Sequence, residues 1–147
     1  MNSYGIRAYR KTTVITSDPG KLVLMCYEEA INQLKIVKMK YQEKDYEAKC
    51  KALKKAMDLI DELLFSLDFE KGGDISRHLE AIYRYVTMRI LQADVNRDID
   101  GIDEVIGLLT ELLSAWEEII AGQSRKMQPE SIEFNEERTQ QAVGLGY

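Results

Sequence analysis

An all-α fold, an antiparallel up-down four-helix bundle, is predicted by three observations. Proline occurs only at Pro19 and Pro129 among 147 residues that hold just 9 glycines, so the chain has few signals at which a helix must stop. Between the prolines, apolar residues recur at i, i+3, i+4 and i+7 in four separate blocks of roughly 20 to 25 residues. The breaks between blocks are short, which forces consecutive helices to lie antiparallel and gives a bundle about 30 to 37 Å long.

The first block opens at Ser17-Asp18-Pro19, a capping side chain directly before a proline suited to the first helical turn, and should run to about Lys44. Its apolar face is Val23, Cys26, Tyr27, Ala30, Ile31, Leu34, Val37 and Tyr41. The second, from Asp45 to about Phe69, directs Tyr46, Cys50, Leu53, Ala56, Met57, Ile60, Leu64 and Leu67 at the core. Glu70-Lys71-Gly72-Gly73-Asp74 then breaks the chain, with glycine for the helix exit and Asp74 as the next cap. The third block carries Ile75, Leu79, Ile82, Tyr83, Val86, Ile90 and Ala93. After a break near Asn96 to Asp100, the fourth carries Ile102, Val105, Ile106, Leu109, Leu112, Leu113, Trp116, Ile119 and Ile120 up to Gly122. Three segments follow from this division: an N-terminal arm (1–16), the bundle (17–122) and a polar tail (123–147). The arm has apolar anchors such as Tyr4, Ile6 and Tyr9 without helical period, and is expected to pack on the bundle. The tail is expected to be largely disordered.

The net charge of −5 argues against nucleic acid as a partner, since phosphate binding needs a basic face interleaved with aromatics. Lys49, Lys51, Lys54 and Lys55 come nearest and scatter around a helix. The longest apolar run, Leu22 to Tyr27, is far below the roughly 18 residues of a membrane span, and the N-terminus lacks a signal-peptide core, so a cytoplasmic location without membrane insertion is expected. With one histidine, any Ser-His-Asp or Cys-His chemistry would have to use His78. A di-metal bundle needs two Glu-x-x-His pairs, whereas Ile75 stands three residues before His78. Cys26 and Cys50 both fall on core stripes about 15 Å apart along the bundle axis, too far for a disulfide. No catalytic residue, metal or cofactor is therefore expected.

The remaining signal is surplus apolar surface. Apolar residues of the fourth block spread over roughly 180°, from Leu108 and Leu112 through Trp116 to Ile106, where a surface helix needs about 100°. The second and third blocks each carry a narrower extra stripe: Ala52, Leu59 and Leu63 on one, Ala81, Tyr85 and Met88 on the other. Such stripes either fill the grooves between helices or line a docking site for an amphipathic helix of another protein. A second copy, as a weak homodimer, is the other partner they would suit. A signalling or scaffold bundle, such as a degenerate histidine phosphotransfer domain using His78, is the alternative function; His78-Leu79-Glu80-Ala81-Ile82 lacks the His-x-x-Lys-Gly of such domains.

Several strings resemble the FliS family of flagellin-specific export chaperones of bacteria. They are Gly5-Ile6-Arg7-Ala8-Tyr9, Asp18-Pro19-Gly20-Lys21-Leu22-Val23-Leu24-Met25-Cys26-Tyr27, Leu67-Asp68-Phe69-Glu70-Lys71-Gly72-Gly73-Asp74-Ile75, Tyr83-Arg84-Tyr85 and Ala115-Trp116-Glu117, spread over residues 4 to 121. The family's usual Ala-Asn pair after the third helix reads Ala93-Asp94 here. The resemblance implies a cytosolic, cofactor-free chaperone rather than an enzyme. It would bind the C-terminal amphipathic segment of new flagellin, block premature filament assembly and hand its cargo to the flagellar export gate. It also implies that Ile6 and Tyr9 are the arm residues that count, the arm rearranging when cargo arrives.

Overall fold

The computed structural model describes residues 19–126, which form four helices: α1 (Pro19–Gln42), α2 (Tyr46–Phe65), α3 (Phe69–Asn96) and α4 (Ile99–Lys126). Each packs on its neighbour in sequence, and α4 closes the ring against α1. The result is the all-α four-helix bundle that periodicity predicts. The arm, with Tyr4, Ile6 and Tyr9, and residues 127–147 lie outside the described residues. Helix α4 continues to Lys126, four residues past Gly122.

Local hydrogen bonds set each turn. Lys44 takes a left-handed conformation at φ 59°, which lets the Asp45 amide reach back to the Lys40 carbonyl at 3.0 Å. The Asp45 carboxylate then accepts from the Ala48 amide and opens α2. At the α3–α4 turn, which lies at the same end of the bundle, Arg97 is left-handed at φ 51° and the Asp98 amide donates to the Ala93 carbonyl at 2.8 Å. Asp98 Oδ1 accepts from the Gly101 amide at 3.2 Å and starts α4.

The α2–α3 junction departs from expectation. Helix α2 ends at Phe65 rather than Phe69, and the cap of the next helix is Asp68, whose carboxylate accepts from the Lys71 amide. One turn forms at once, so the glycine pair becomes a kink inside α3 rather than a gap: Gly73 sits at φ 51°, ψ −124°, a conformation glycine adopts without a steric penalty. Asp74 instead accepts a hydrogen bond from Arg77. Ser76 Oγ donates to the Asp68 carbonyl across the kink and ties the two pieces together.

Tyr27, Leu34, Ile60, Leu63, Tyr83, Ile90, Ile102 and Leu109 are the large fully buried side chains, and all four helices contribute to them. At the centre, the Tyr27 and Tyr83 hydroxyls are hydrogen-bonded at 2.5 Å and Trp116 Nε1 donates to the Tyr27 oxygen at 3.1 Å. Aromatic rings of α1, α3 and α4 thus satisfy their polar ends inside the apolar layer.

Among the described residues, no helix is long and apolar enough to cross a membrane.

Candidate functional site

Of the two extra stripes, the structure keeps one on the surface. Ala52, Leu59 and Leu63 of α2 are buried members of the core, not a second face. They are buried together with Leu53, Ala56 and Ile60, so the core face of α2 is wider on this side than expected, while Cys50 and Tyr46, expected inside, are exposed. Tyr46 meets the edge of the Tyr41 ring, and the Arg97 guanidinium lies 5.3 Å from its centroid. Ile75, also expected inside, is exposed, while its neighbour Ser76 is buried. Cys26 is buried, as expected.

The α3 stripe is where the wheel places it. Tyr85 is 40% and Met88 50% exposed, and Ala81 is exposed one turn nearer the start of α3. The Tyr85 hydroxyl donates to Glu104 of α4. Leu108 and Leu112 follow Glu104 by one and two turns, and both are half-buried against the core. Because α3 and α4 are antiparallel, Ala81 and Leu108 lie toward the same end of the bundle. Met88 lies on the other side of Tyr85, next to Arg89, so the α3–α4 seam carries Ala81, Leu108 and Leu112 on one side of the Tyr85–Glu104 pair and Met88 with a cluster of charge on the other.

That cluster is a continuous polar chain. Arg89 donates through Nε to Glu104 Oε1 at 3.2 Å and through a terminal nitrogen to Asp98 Oδ2 at 3.1 Å. Tyr85, and then Arg89, hold the Glu104 carboxyl below its ordinary range; Arg89, and then the Gly101 amide, do the same for Asp98. Each of these groups holds the two helices in place. His78 is an exposed residue of α3, and among the described residues no three His, Cys, Asp or Glu side chains gather as a metal site would require.

A second apolar feature lies at the opposite side of the bundle. A cleft of about 260 Å³ opens between the start of α1 and the end of α2, lined by Pro19, Leu22, Val23, Cys26, Glu62, Leu63 and Ser66. It borders the point at which residues 1–18 join α1. Sequence reasoning missed this cleft, because its walls belong to helix ends that are far apart in sequence.

Comparison with known proteins gives the surface its context. Residues 1–123 match the family model described as flagellar protein FliS. The flagellar secretion chaperone FliS of Salmonella typhimurium is 37% identical over 120 residues, covering 78% of this chain and 89% of that relative. Its namesakes from Vibrio cholerae and Bacillus subtilis are 34% and 30% identical over 118 residues, covering 78% and 80% of this chain and 87% of each relative. With a family match over most of its length and relatives of this similarity, the chain belongs to the FliS family of flagellar secretion chaperones.

Proposed function

We propose that the chain binds the C-terminal amphipathic segment of flagellin along the α3–α4 seam in the cytoplasm, keeps it from polymerising and delivers it to the flagellar export gate, with no catalytic step. The observation that carries this reading is the exposed α3 stripe of Ala81, Tyr85 and Met88, tied to α4 through Tyr85 and Glu104, with half-buried Leu108 and Leu112 further along α4. An incoming helix would cover apolar atoms that otherwise face water, at about 25 cal/mol per Å². Met88 adapts to a variable partner, and Tyr85 offers area at low entropic cost.

Flagellin with and without its C-terminal segment should separate into bound and unbound in a pull-down. Tyr85→Ala should weaken that binding about tenfold, at the low end of what a buried aromatic contact contributes, while circular dichroism stays unchanged. Leu59→Ala, a core change, should lower the melting temperature by the equivalent of about 2 to 5 kcal/mol and leave the affinity of the folded fraction intact. Wild-type affinity in Tyr85→Ala and Met88→Asp alike would remove the seam as the cargo surface.

The arm of residues 1–16 serves in this reading as a lid carried by Tyr4, Ile6 and Tyr9. The cleft beside Pro19 supports it, as an apolar surface within reach of the arm's point of attachment. Ordering the arm costs roughly 1 to 2 kcal/mol per residue, close to what three anchors return, so a longer cargo helix could displace it. Amides of residues 4–12 should be partly protected from hydrogen exchange in the free protein and lose protection when the flagellin C-terminal peptide is added. Unchanged or increased protection would make the arm a permanent part of the bundle.

A further inference from the structure

We propose that Arg89 is a positioning residue of the seam: seated on Gly101, it locks the start of α4 to α3 and holds Glu104 where it fixes the Tyr85 ring in one orientation for a partner. The proposal rests on the seam being the binding surface.

The polar chain runs without interruption from the Gly101 amide to Asp98, from Arg89 to both Asp98 and Glu104, and from Tyr85 to Glu104. One guanidinium thus bridges the cap of α4 and a carboxylate about one and a half turns into the same helix. A planar fork with several donors can do this; an ammonium on a flexible stem cannot match both carboxylates at fixed angles. The seat is glycine for a steric reason. A Cβ at Gly101 would stand 2.8 to 2.9 Å from the carbon and terminal nitrogens of the Arg89 guanidinium, closer than side-chain contacts allow. Because those atoms are the far end of a long side chain, a methyl group there would expel the guanidinium rather than break the helix.

Stability is a poor explanation for the arrangement. The carboxylates of Asp98 and Glu104 are 38% and 45% exposed, and ion pairs in that setting contribute little to folding. Their effect is on order. Tyr85 is exposed and would otherwise sample its rotamers freely; tied to an oriented Glu104, it is already in place when a partner arrives. Ordering such a side chain at binding costs about 0.5 to 1.5 kcal/mol, which corresponds to a two- to twelvefold change in affinity.

Titration of the full chain with the flagellin C-terminal peptide tests this alongside NMR of the Tyr85 ring and the Gly101 amide. Arg89→Ala and Gly101→Ala should each weaken binding by about two- to twelvefold, shift both signals and leave the melting temperature within a few degrees. Arg89→Lys should recover only part of the affinity. Unchanged affinity and unchanged Tyr85 signals in Arg89→Ala, while Met88→Asp abolishes binding, would overturn the positioning role and leave the seam intact. If Met88→Asp binds like wild type, the seam itself is wrong. The Tyr85 and Gly101 signals then decide alone: a shift in Arg89→Ala upholds the lock, and none overturns it.

Discussion

Trp116→Ala should destabilise the bundle by about 3 to 5 kcal/mol and lower its melting temperature by roughly 10 to 20 °C. Trp116 is the single tryptophan, buried in α4, and its indole nitrogen reaches the Tyr27 oxygen of α1, which is itself joined to Tyr83 of α3. Truncation removes the largest side chain of the core and a hydrogen bond that links helices 89 residues apart. Three helices joined at one cluster cannot collapse into the gap without moving an axis, so most of the cavity cost persists. Trp116→Phe separates the contributions. It keeps most of the volume and removes the N–H, so it should cost about 1 kcal/mol for the hydrogen bond plus a smaller packing loss. Thermal unfolding followed by circular dichroism at 222 nm measures both. An alanine variant melting within 3 °C of wild type would show that the aromatic cluster does not hold the helices together.

The fold is legible in the sequence because it rests on one-dimensional signals. Scarce proline and glycine and a period of 3.6 act within a few positions, and they place the helices close to where they lie. The phase of α2 was not legible. Leu53, Leu59, Ile60, Leu63 and Leu64 cover so wide an arc that the wheel offers two equally apolar faces, and which of them is buried depends on how the helix sits against its neighbours. In α3 the outer stripe was read correctly since Tyr83, Val86 and Ile90 define the inner face without ambiguity, leaving Tyr85 and Met88 outside. The polar partners of the surface remained hidden. Arg89 and Glu104 are 15 residues apart, and Lys49 and Asp94 are 45 apart, so their pairing depends on how helices slide along each other. Position 94 shows this well. Aspartate in place of the family's usual asparagine looks like a small departure until the structure sets a lysine beside it.

Lys49→Met should destabilise the protein at neutral pH by an amount at or somewhat below the roughly 3 to 5 kcal/mol of a broken buried pair, and the deficit should shrink in acid. Lys49 of α2 donates to Asp94 Oδ1 at 2.8 Å, with only 10% and 23% of the two side chains exposed, and its ammonium lies 5.1 Å from the Tyr41 centroid. The Tyr41 hydroxyl of α1 donates to the same carboxylate, so three helices meet at one charge. Burial opposes ionisation of Asp94, but the hydrogen bonds from Lys49 and Tyr41 outweigh it and hold the carboxyl below its ordinary range. A lowered folded pKa means that the unfolded chain takes up protons first. The stabilisation is therefore complete above the unfolded value near 4 and is lost as pH falls through the folded value. In Lys49→Met the aliphatic stem still packs, while burial acts on Asp94 with Tyr41 as its remaining side-chain donor, so the carboxyl protonates at higher pH and escapes the penalty. Wild type and variant should then converge in melting temperature between about pH 5 and pH 2. Asp94→Asn alone should also destabilise, because it leaves the Lys49 ammonium nine-tenths buried without its counter-charge. The double variant Lys49→Met with Asp94→Asn should regain part of the loss, since neither half then carries an unpaired charge. A gap between wild type and Lys49→Met that stays constant across that pH range would show that the lysine acts through packing and not through its charge.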